Sequence, residues 1–352
     1  MNIFSEYYNM RLNDPVHYDG AWHVYKYSDV KHVLMNDKIF SSNPGNRYSN
    51  AGGISFITMD NPEHKEFRDI SAPYFLPSKI NDYKDFIEET SNDLIKNIDN
   101  KDIISEYAVR LPVNVISKIL GIPDSDMPLF KLWSDYIIGN KRDENFNYVN
   151  NRMVSRLLEI FKSDSHGIIN VLAGSSLKNR KLTMDEKIKY IMLLIIGGNE
   201  TTTNLIGNMI RVIDENPDII DDALKNRSGF VEETLRYYSP IQFLPHRFAA
   251  EDSYINNKKI KKGDQVIVYL GSANRDETFF DEPDLFKIGR REMHLAFGIG
   301  IHMCIGAPLA RLEASIALND ILNHFKRIKI DYKKSRLLDN KMVLGYDKLF
   351  LS

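Results

Sequence analysis

The order of apolar and polar positions predicts a mostly helical chain with a minor share of strand. Near the start, AWHVYKYSDVKHVL alternates as a short strand over Trp22 to Tyr27. It then turns helical, with Ser28 or Asp29 expected as the N-cap. The segment NPGNRYSNAGGISF, residues 43 to 56, is rich in turn formers and predicts a loop long enough to be functional. From Asp60 to about Asp99 the period is helical, interrupted at Pro73 and Pro77. Further helices fit Val109 to Leu120, Met127 to Ile138 and Tyr148 to Phe161. No change of composition divides the chain, and no repeat is apparent.

Two segments carry the strongest helical signal. TMDEKIKYIMLLIIGGNETTTNLIGNMIRVIDENP opens with Thr183 and Glu186 in capping-box spacing and must stop before Pro217. A helix of roughly 30 residues spans about 45 Å. Its middle is anomalous, because Gly197-Gly198 and Thr201-Thr202-Thr203 stand where a core helix favours leucine. Each glycine there costs about 1 kcal/mol. The second segment, IGAPLARLEASIALNDILNHF, predicts a buried helix with Cys304 at its N-terminal end.

Composition narrows the picture. With 43% hydrophobic and 27% charged residues, the 352-residue chain can bury a large core. A formal net charge of -2 gives no bulk attraction to nucleic acid or anionic membrane, so neither is expected as a partner. The longest apolar run, Tyr190 to Ile196, falls far short of the roughly 20 residues of a membrane helix. MNIFSEYYNMRLND lacks the charged-then-apolar order of a signal peptide, and a soluble cytoplasmic protein is expected.

Cys304 is the sole cysteine, which excludes an internal disulfide and any multi-cysteine zinc or iron-sulfur site. In AFGIGIHMCIG its thiol faces the open amides and positive dipole end of a helix, which predicts a thiolate. Gly298, Gly300 and Gly306 let the backbone approach a flat or bulky object. On these grounds a nucleophile, a metal ligand and a buried small hydrophobe all stay open.

The run Phe297, Gly298, Gly300, His302, Cys304, Gly306 resembles the F-G-x-G-x-H-x-C-x-G loop of the cytochrome P-450 family. The resemblance implies haem b as cofactor, with Cys304 as the ligand to its iron. Phe297, Gly298 and Gly306 would lie against the macrocycle, and His302 would reach a propionate. In VEETLRYYSP, Glu233 and Arg236 match the family's E-x-x-R on one helical face. Phe286 and Arg290 match the segment that supplies a second arginine, a structural triad locking the cysteine loop.

GGNETT, residues 197 to 202, resembles the family's segment above the iron. Its small residues would leave room for dioxygen and substrate, with Thr201 and Glu200 as the catalytic alcohol and acid of a proton relay. His64 and Arg68 in DNPEHKEFR, with Arg247 in LPHRFA, match the remaining propionate partners. Leu193, Ile196, Gly197, Phe243 and Leu244, with parts of loops 44 to 57 and 130 to 165, would wall a hydrophobic substrate pocket.

The implied fold is mainly α with small β-sheets (α+β), one domain over 1–352, with haem between a long distal helix and the proximal cysteine loop and helix. Its β-rich parts would fall near 15–30, 241–270 and 326–352, and its helical bulk in 60–240 and 305–325. The chain looks most like the compact soluble forms of archaea and bacteria. The implied activity is oxidoreductase chemistry: a monooxygenase inserts one atom of O2 into a small hydrophobic substrate. A separate ferredoxin-like or flavodoxin-like electron donor, acidic at its surface, would dock near Cys304 by Arg290, Arg291 and Arg311. A peroxide-dependent peroxygenase and a non-catalytic haem-thiolate sensor are the alternatives, with a cysteine hydrolase a distant third.

Overall fold

The alternation at the start of the chain folds into strands shorter than its pattern suggests. The structure is a computed structural model that describes residues 3–45, 56–98, 102–138, 144–163, 166–325 and 327–352. Val16–Tyr18 (β1) and Trp22–Val24 (β2) pair antiparallel. The helix Tyr27–Met35 (α1) begins ahead of both expected caps, so Ser28 and Asp29 lie inside it. The reason is long-range: the Tyr27 amide donates to Asp276 Oδ2 at 2.7 Å, and a distant carboxylate satisfies the helix end.

Phe40–Ser41 (β3), Leu244–Ala249 (β4) and Gln265–Val268 (β5) complete a five-stranded sheet in the order β1-β2-β5-β4-β3. β2 and β5 run parallel, and the other pairs antiparallel. Val24, Val30, Phe40, Val266 and Val268 form the small core between this sheet and α1.

The helical bulk follows the predicted punctuation. Glu63–Ser71 (α2) gives way to a tight turn over Ala72–Phe75, and Pro77 opens the next helix, Pro77–Asn81. Arg110–Leu120 (α3) ends at Gly121 in the left-handed conformation (φ 83°). Met127–Ile138 has its predicted bounds, whereas Glu144–Ile160 starts four residues before Tyr148.

Met184–Glu215 (α4) runs 32 residues, and its capping box is complete. The Glu186 amide donates to Thr183 Oγ1 at 3.2 Å, and the Thr183 amide to Glu186 Oε2 at 2.8 Å. Arg227–Tyr237 (α5) and Ala307–His324 (α6) pack on α4, as does α3, around the larger core. Arg336–Leu337 (β6) and Tyr346–Lys348 (β7) form the C-terminal hairpin. The fold class is the expected one, mainly α with small sheets. Among the described residues no helix is long and apolar enough to cross a membrane.

Candidate functional site

A cavity opens between α4 and the loop that precedes α6. From α4 it is lined by Leu193, Leu194, Gly197, Gly198, Thr201, Thr202 and Leu205, which recur at helical spacing on one face. Opposite stand Phe297, Gly298, His302, Cys304 and Gly306; His64, Arg68, Leu244 and Arg247 close other sides.

The two glycines of α4 serve different ends. A side chain at Gly198 would stand 3.1 Å from Ile116 of α3, so this glycine lets two helices meet. A side chain begun at Gly197 would meet nothing within 4 Å, and this glycine opens onto the cavity.

Two expected pocket walls are misplaced. Ile196 falls on the opposite side of α4 and packs into the core. Phe243, one residue ahead of β4, does not line the cavity. Its ring lies 5.3 Å from that of Tyr269. Phe56, Phe75, Ile116, Leu270 and Leu309 line the cavity without any local motif to announce them. Of the expected loop walls, residues 46–55, 139–143 and 164–165 lie outside the described residues.

The cysteine loop is tightly wound. Gly298 and Gly300 have φ of 67° and 81°, and a side chain at Gly300 would meet the Leu34 carbonyl oxygen at 2.5 Å. The Cys304 amide donates to the Phe297 carbonyl at 2.8 Å, turning the sulfur onto the cavity. Burial pushes the Cys304 thiol up, against the lowering pull of the Gly306 and Ala307 amides and of Arg68 and Arg311. The sulfur itself is open to the cavity, and the two amides and two arginines all act toward the thiolate expected from the sequence.

Glu232 of α5 ties this loop to α6. It accepts from Arg311 Nε and Nη2 at 2.7 and 2.9 Å, and lies 3.2 Å from His294 Nε2. Burial alone would raise its carboxyl, but the bonds from Arg311 and His294 prevail and hold it at about 2, below the ordinary 4.5. A depressed carboxylate contributes stability above its unfolded value and loses it as pH falls toward the folded one. Glu232→Gln should therefore lower the thermal midpoint at pH 7 and flatten its fall between pH 4.5 and about 2, as calorimetry across that range can check.

Glu233, one residue on, is buried with Arg236 and Arg290 at side-chain exposures of 2%, 1% and 7%. It accepts from Arg236 Nε and Nη2, both at 2.8 Å, from Arg290 Nε at 2.9 Å and from the Lys287 amide at 2.8 Å. Phe286 packs edge-on against Tyr237, with ring centroids 5.7 Å apart. Burial and pairing leave little positive charge for docking a partner. Arg290 is enclosed, Arg311 is held by Glu232, and of the three expected docking arginines only Arg291 is exposed without an ion pair among the described residues.

Around the far rim, His64 and His302 bring their rings within 4.0 Å. Both nitrogens of His64 and Nε2 of His302 are buried without a hydrogen-bond partner. Burial lowers both imidazoles, His302 to about 3, with neighbouring cations adding to the effect. Arg68 Nη2 donates to the Met303 carbonyl at 2.7 Å, and Arg247 is buried nearby with its guanidinium lowered by desolvation. Orphaned donors beside two arginines suit a ligand carrying carboxylates. Among the described residues no group of three or more His, Cys, Asp or Glu could hold a bare metal ion. An iron bound through Cys304 must bring its other ligands with it, as a haem does.

Thr201 and Glu200 are not bonded to one another. Thr201 Oγ1 faces the cavity and donates to the Gly197 carbonyl at 3.2 Å, while Glu200 sits at the edge of the lining face with its carboxyl raised by burial.

Comparison with known proteins agrees with this geometry. The family model for cytochrome P-450 matches residues 223–349, which include the Glu233–Arg236–Arg290 cluster and the cysteine loop. The cytochrome P-450 119 of Sulfolobus acidocaldarius is 37% identical over 367 residues, covering 98% of this chain and 97% of its own. The chain belongs to the cytochrome P-450 family. As a cytochrome P-450 it is an oxidoreductase, a haem monooxygenase. A crystal structure of a cytochrome P-450 from the thermoacidophilic archaeon Picrophilus torridus is 97% identical, covers 97% of this chain and 100% of that one, and superposes with a TM-score of 0.92. A cytochrome P-450 of Bacillus megaterium in complex with testosterone is 34% identical, covers 99% of this chain and 98% of that one, with a TM-score of 0.87.

Proposed function

We propose that this cytochrome P-450 binds haem b through Cys304 and inserts one atom of O2 into a hydrophobic organic substrate, using electrons from a separate ferredoxin-like or flavodoxin-like donor. The observation that carries this reading is the cavity itself, with one sulfur below, a threonine hydroxyl above and unpartnered histidine nitrogens at the rim. Haem held there supplies the reductive activation of dioxygen that no side chain can perform.

His64, Arg68, Arg247 and His302 hold the propionates, and Phe297, Gly298 and Gly306 lie against the ring. Gly197 leaves space above it. Leu193, Leu194, Leu205 and Leu244 exclude water and favour an apolar substrate. Testosterone in the Bacillus megaterium relative is consistent with such a pocket. Likewise 4-phenylimidazole, bound in a 98% identical Picrophilus torridus structure, is expected to bind this cavity. The electron donor docks beside the cysteine loop, where Arg291 is exposed with Met293 and Met303.

Glu200, kept nearer neutrality by burial, serves as the proton source. To relay a proton, the Thr201 hydroxyl would release its bond to the Gly197 carbonyl and turn its proton to the cavity, while a lone pair accepts a replacement proton originating at Glu200. Thr201→Ala should lower the product formed per O2 consumed, and Glu200→Gln should slow turnover by about 100-fold or more. Unchanged coupling in Thr201→Ala would remove the relay.

The decisive test of the whole reading is the absorption spectrum of the reduced protein under carbon monoxide. A red-shifted Soret band establishes thiolate ligation, and its absence in folded, haem-loaded protein would falsify the central claim. Turnover with a ferredoxin and its reductase, compared with peroxide alone, separates the monooxygenase from a peroxygenase.

A further inference from the structure

Beyond the end of the main cavity, α4 borders a second pocket of about 410 Å3. Arg211 and Glu215 wall it from α4, Tyr332 from the segment before the hairpin, and Arg336, Leu337 and Tyr346 from β6 and β7. Nearly every charge in it is already paired. Glu215 accepts from Arg211 Nε and from Tyr238 Oη, both at 2.8 Å. Arg336 is held by Asp347, and Tyr332 Oη donates to Asp214 at 2.6 Å.

Arg211 is paired with Glu215 through Nε alone. Its guanidinium lies over the Tyr238 ring, 4.2 Å from the centroid, and its two Nη groups make no hydrogen bond among the described residues. A planar donor fork, fixed by stacking and set among the apolar faces of Tyr332, Tyr346 and Leu337, is complementary to a flat acid. The volume suits one or two fused rings.

The same hairpin also reaches the main cavity. At its tip the Leu344 amide donates to the Pro240 carbonyl and the Gln242 amide to the Met342 carbonyl, both at 2.8 Å. Pro240 and Ile241 line the main cavity, and Ile241 bridges to Val343. Asn208 Nδ2 donates to the Leu344 carbonyl at 3.0 Å, fixing the tip to α4 as well. One hairpin therefore forms a wall of the second pocket at its base and braces a wall of the first at its tip.

We propose that the second pocket binds an aromatic monocarboxylate, its acid group on the Arg211 Nη fork and its ring between Tyr332 and Tyr346, and that occupancy changes ligand affinity in the main cavity through the hairpin. The coupling half rests on the haem reading, since it is read at the iron; the binding half does not.

The probe is 2-naphthoate, titrated into the holoprotein by calorimetry, followed by 4-phenylimidazole titrations in the visible spectrum with and without saturating naphthoate. A single naphthoate site is expected, weakened about tenfold or more by Arg211→Gln, which removes the fork. Leu337→Asp, at a position 48% exposed and so tolerant of substitution, should weaken it similarly by placing a like charge at the mouth. Both variants should keep wild-type 4-phenylimidazole affinity in the absence of naphthoate. Naphthoate should shift that affinity about fivefold or more, and the azole should shift naphthoate affinity by the same factor. Absence of naphthoate binding, or binding that neither variant weakens, overturns the site. Binding that both variants weaken while azole affinity stays constant overturns the coupling. A protein that binds naphthoate but lacks the thiolate spectrum would retain the site and lose the haem reading.

Discussion

Glu233→Ala is expected to cost about 3–5 kcal/mol of stability, because it leaves two buried guanidiniums without their carboxylate. Set against a total of about 5–15 kcal/mol for a folded domain, that is a large fraction. Partial compensation is built in, since Arg236 also donates to the Asn274 and Pro283 carbonyls and Arg290 to those of Asp281, Glu282 and Leu285. These carbonyls satisfy N–H groups but do not neutralise charge, so the desolvation cost stays.

The damage should spread toward the sulfur. The segment gripped by the two arginines carries Asn274, whose Oδ1 accepts from the Leu295 amide at 2.6 Å, immediately before the cysteine loop. Haem content should therefore fall in parallel with the denaturation midpoint. Glu233→Gln, which keeps acceptor and shape but not charge, should lie between alanine and wild type. A midpoint for Glu233→Ala within about 1 kcal/mol of wild type would show the cluster to be dispensable.

How far the sequence spoke for itself can be judged residue by residue. Thr183 and Glu186 announced a helix start because both halves of a capping box lie within one turn. Pro73 and Pro77 announced interruptions for the same reason, as their ring geometry acts on the adjacent backbone. The start of α1 was illegible, since its capping carboxylate, Asp276, lies 249 positions away.

The site divides along the same line. Cys304, His302, Gly298 and Gly306 lie in one short stretch, and the structure keeps them together on the cavity. Ile196 and Phe243 were expected as walls and do not line the cavity, although their neighbours Gly197 and Leu244 do; on a helix one position already turns a side chain by about 100°. Arg290 and Arg311 advertise positive charge in the sequence, but the carboxylates that consume it, Glu233 and Glu232, come from another helix. Residue type reveals a charge; only the fold reveals whether it is free.

Cys304→Ser should give the largest functional loss while leaving the fold intact. Serine preserves the size of the side chain, the Cys304 amide bond to Phe297 and the Gly298 and Gly300 turn. The proposed propionate contacts from His64, Arg68, Arg247 and His302 are likewise untouched, so haem should still enter. What is lost is the soft, electron-rich sulfur, which an alcohol cannot replace because its proton leaves far less readily and its oxygen donates charge poorly to iron. Product formation should fall by about three orders of magnitude or more, equivalent to roughly 4 kcal/mol of barrier. The carbon monoxide difference spectrum should lose its red-shifted Soret band at unchanged haem content. Retention of that band in Cys304→Ser would exclude Cys304 as the iron ligand. Loss of haem together with the band would mean that the sulfur, more than the two arginines and two histidines at the rim, holds the macrocycle, and repeating the measurement in Arg68→Ala would then weigh the two contributions directly.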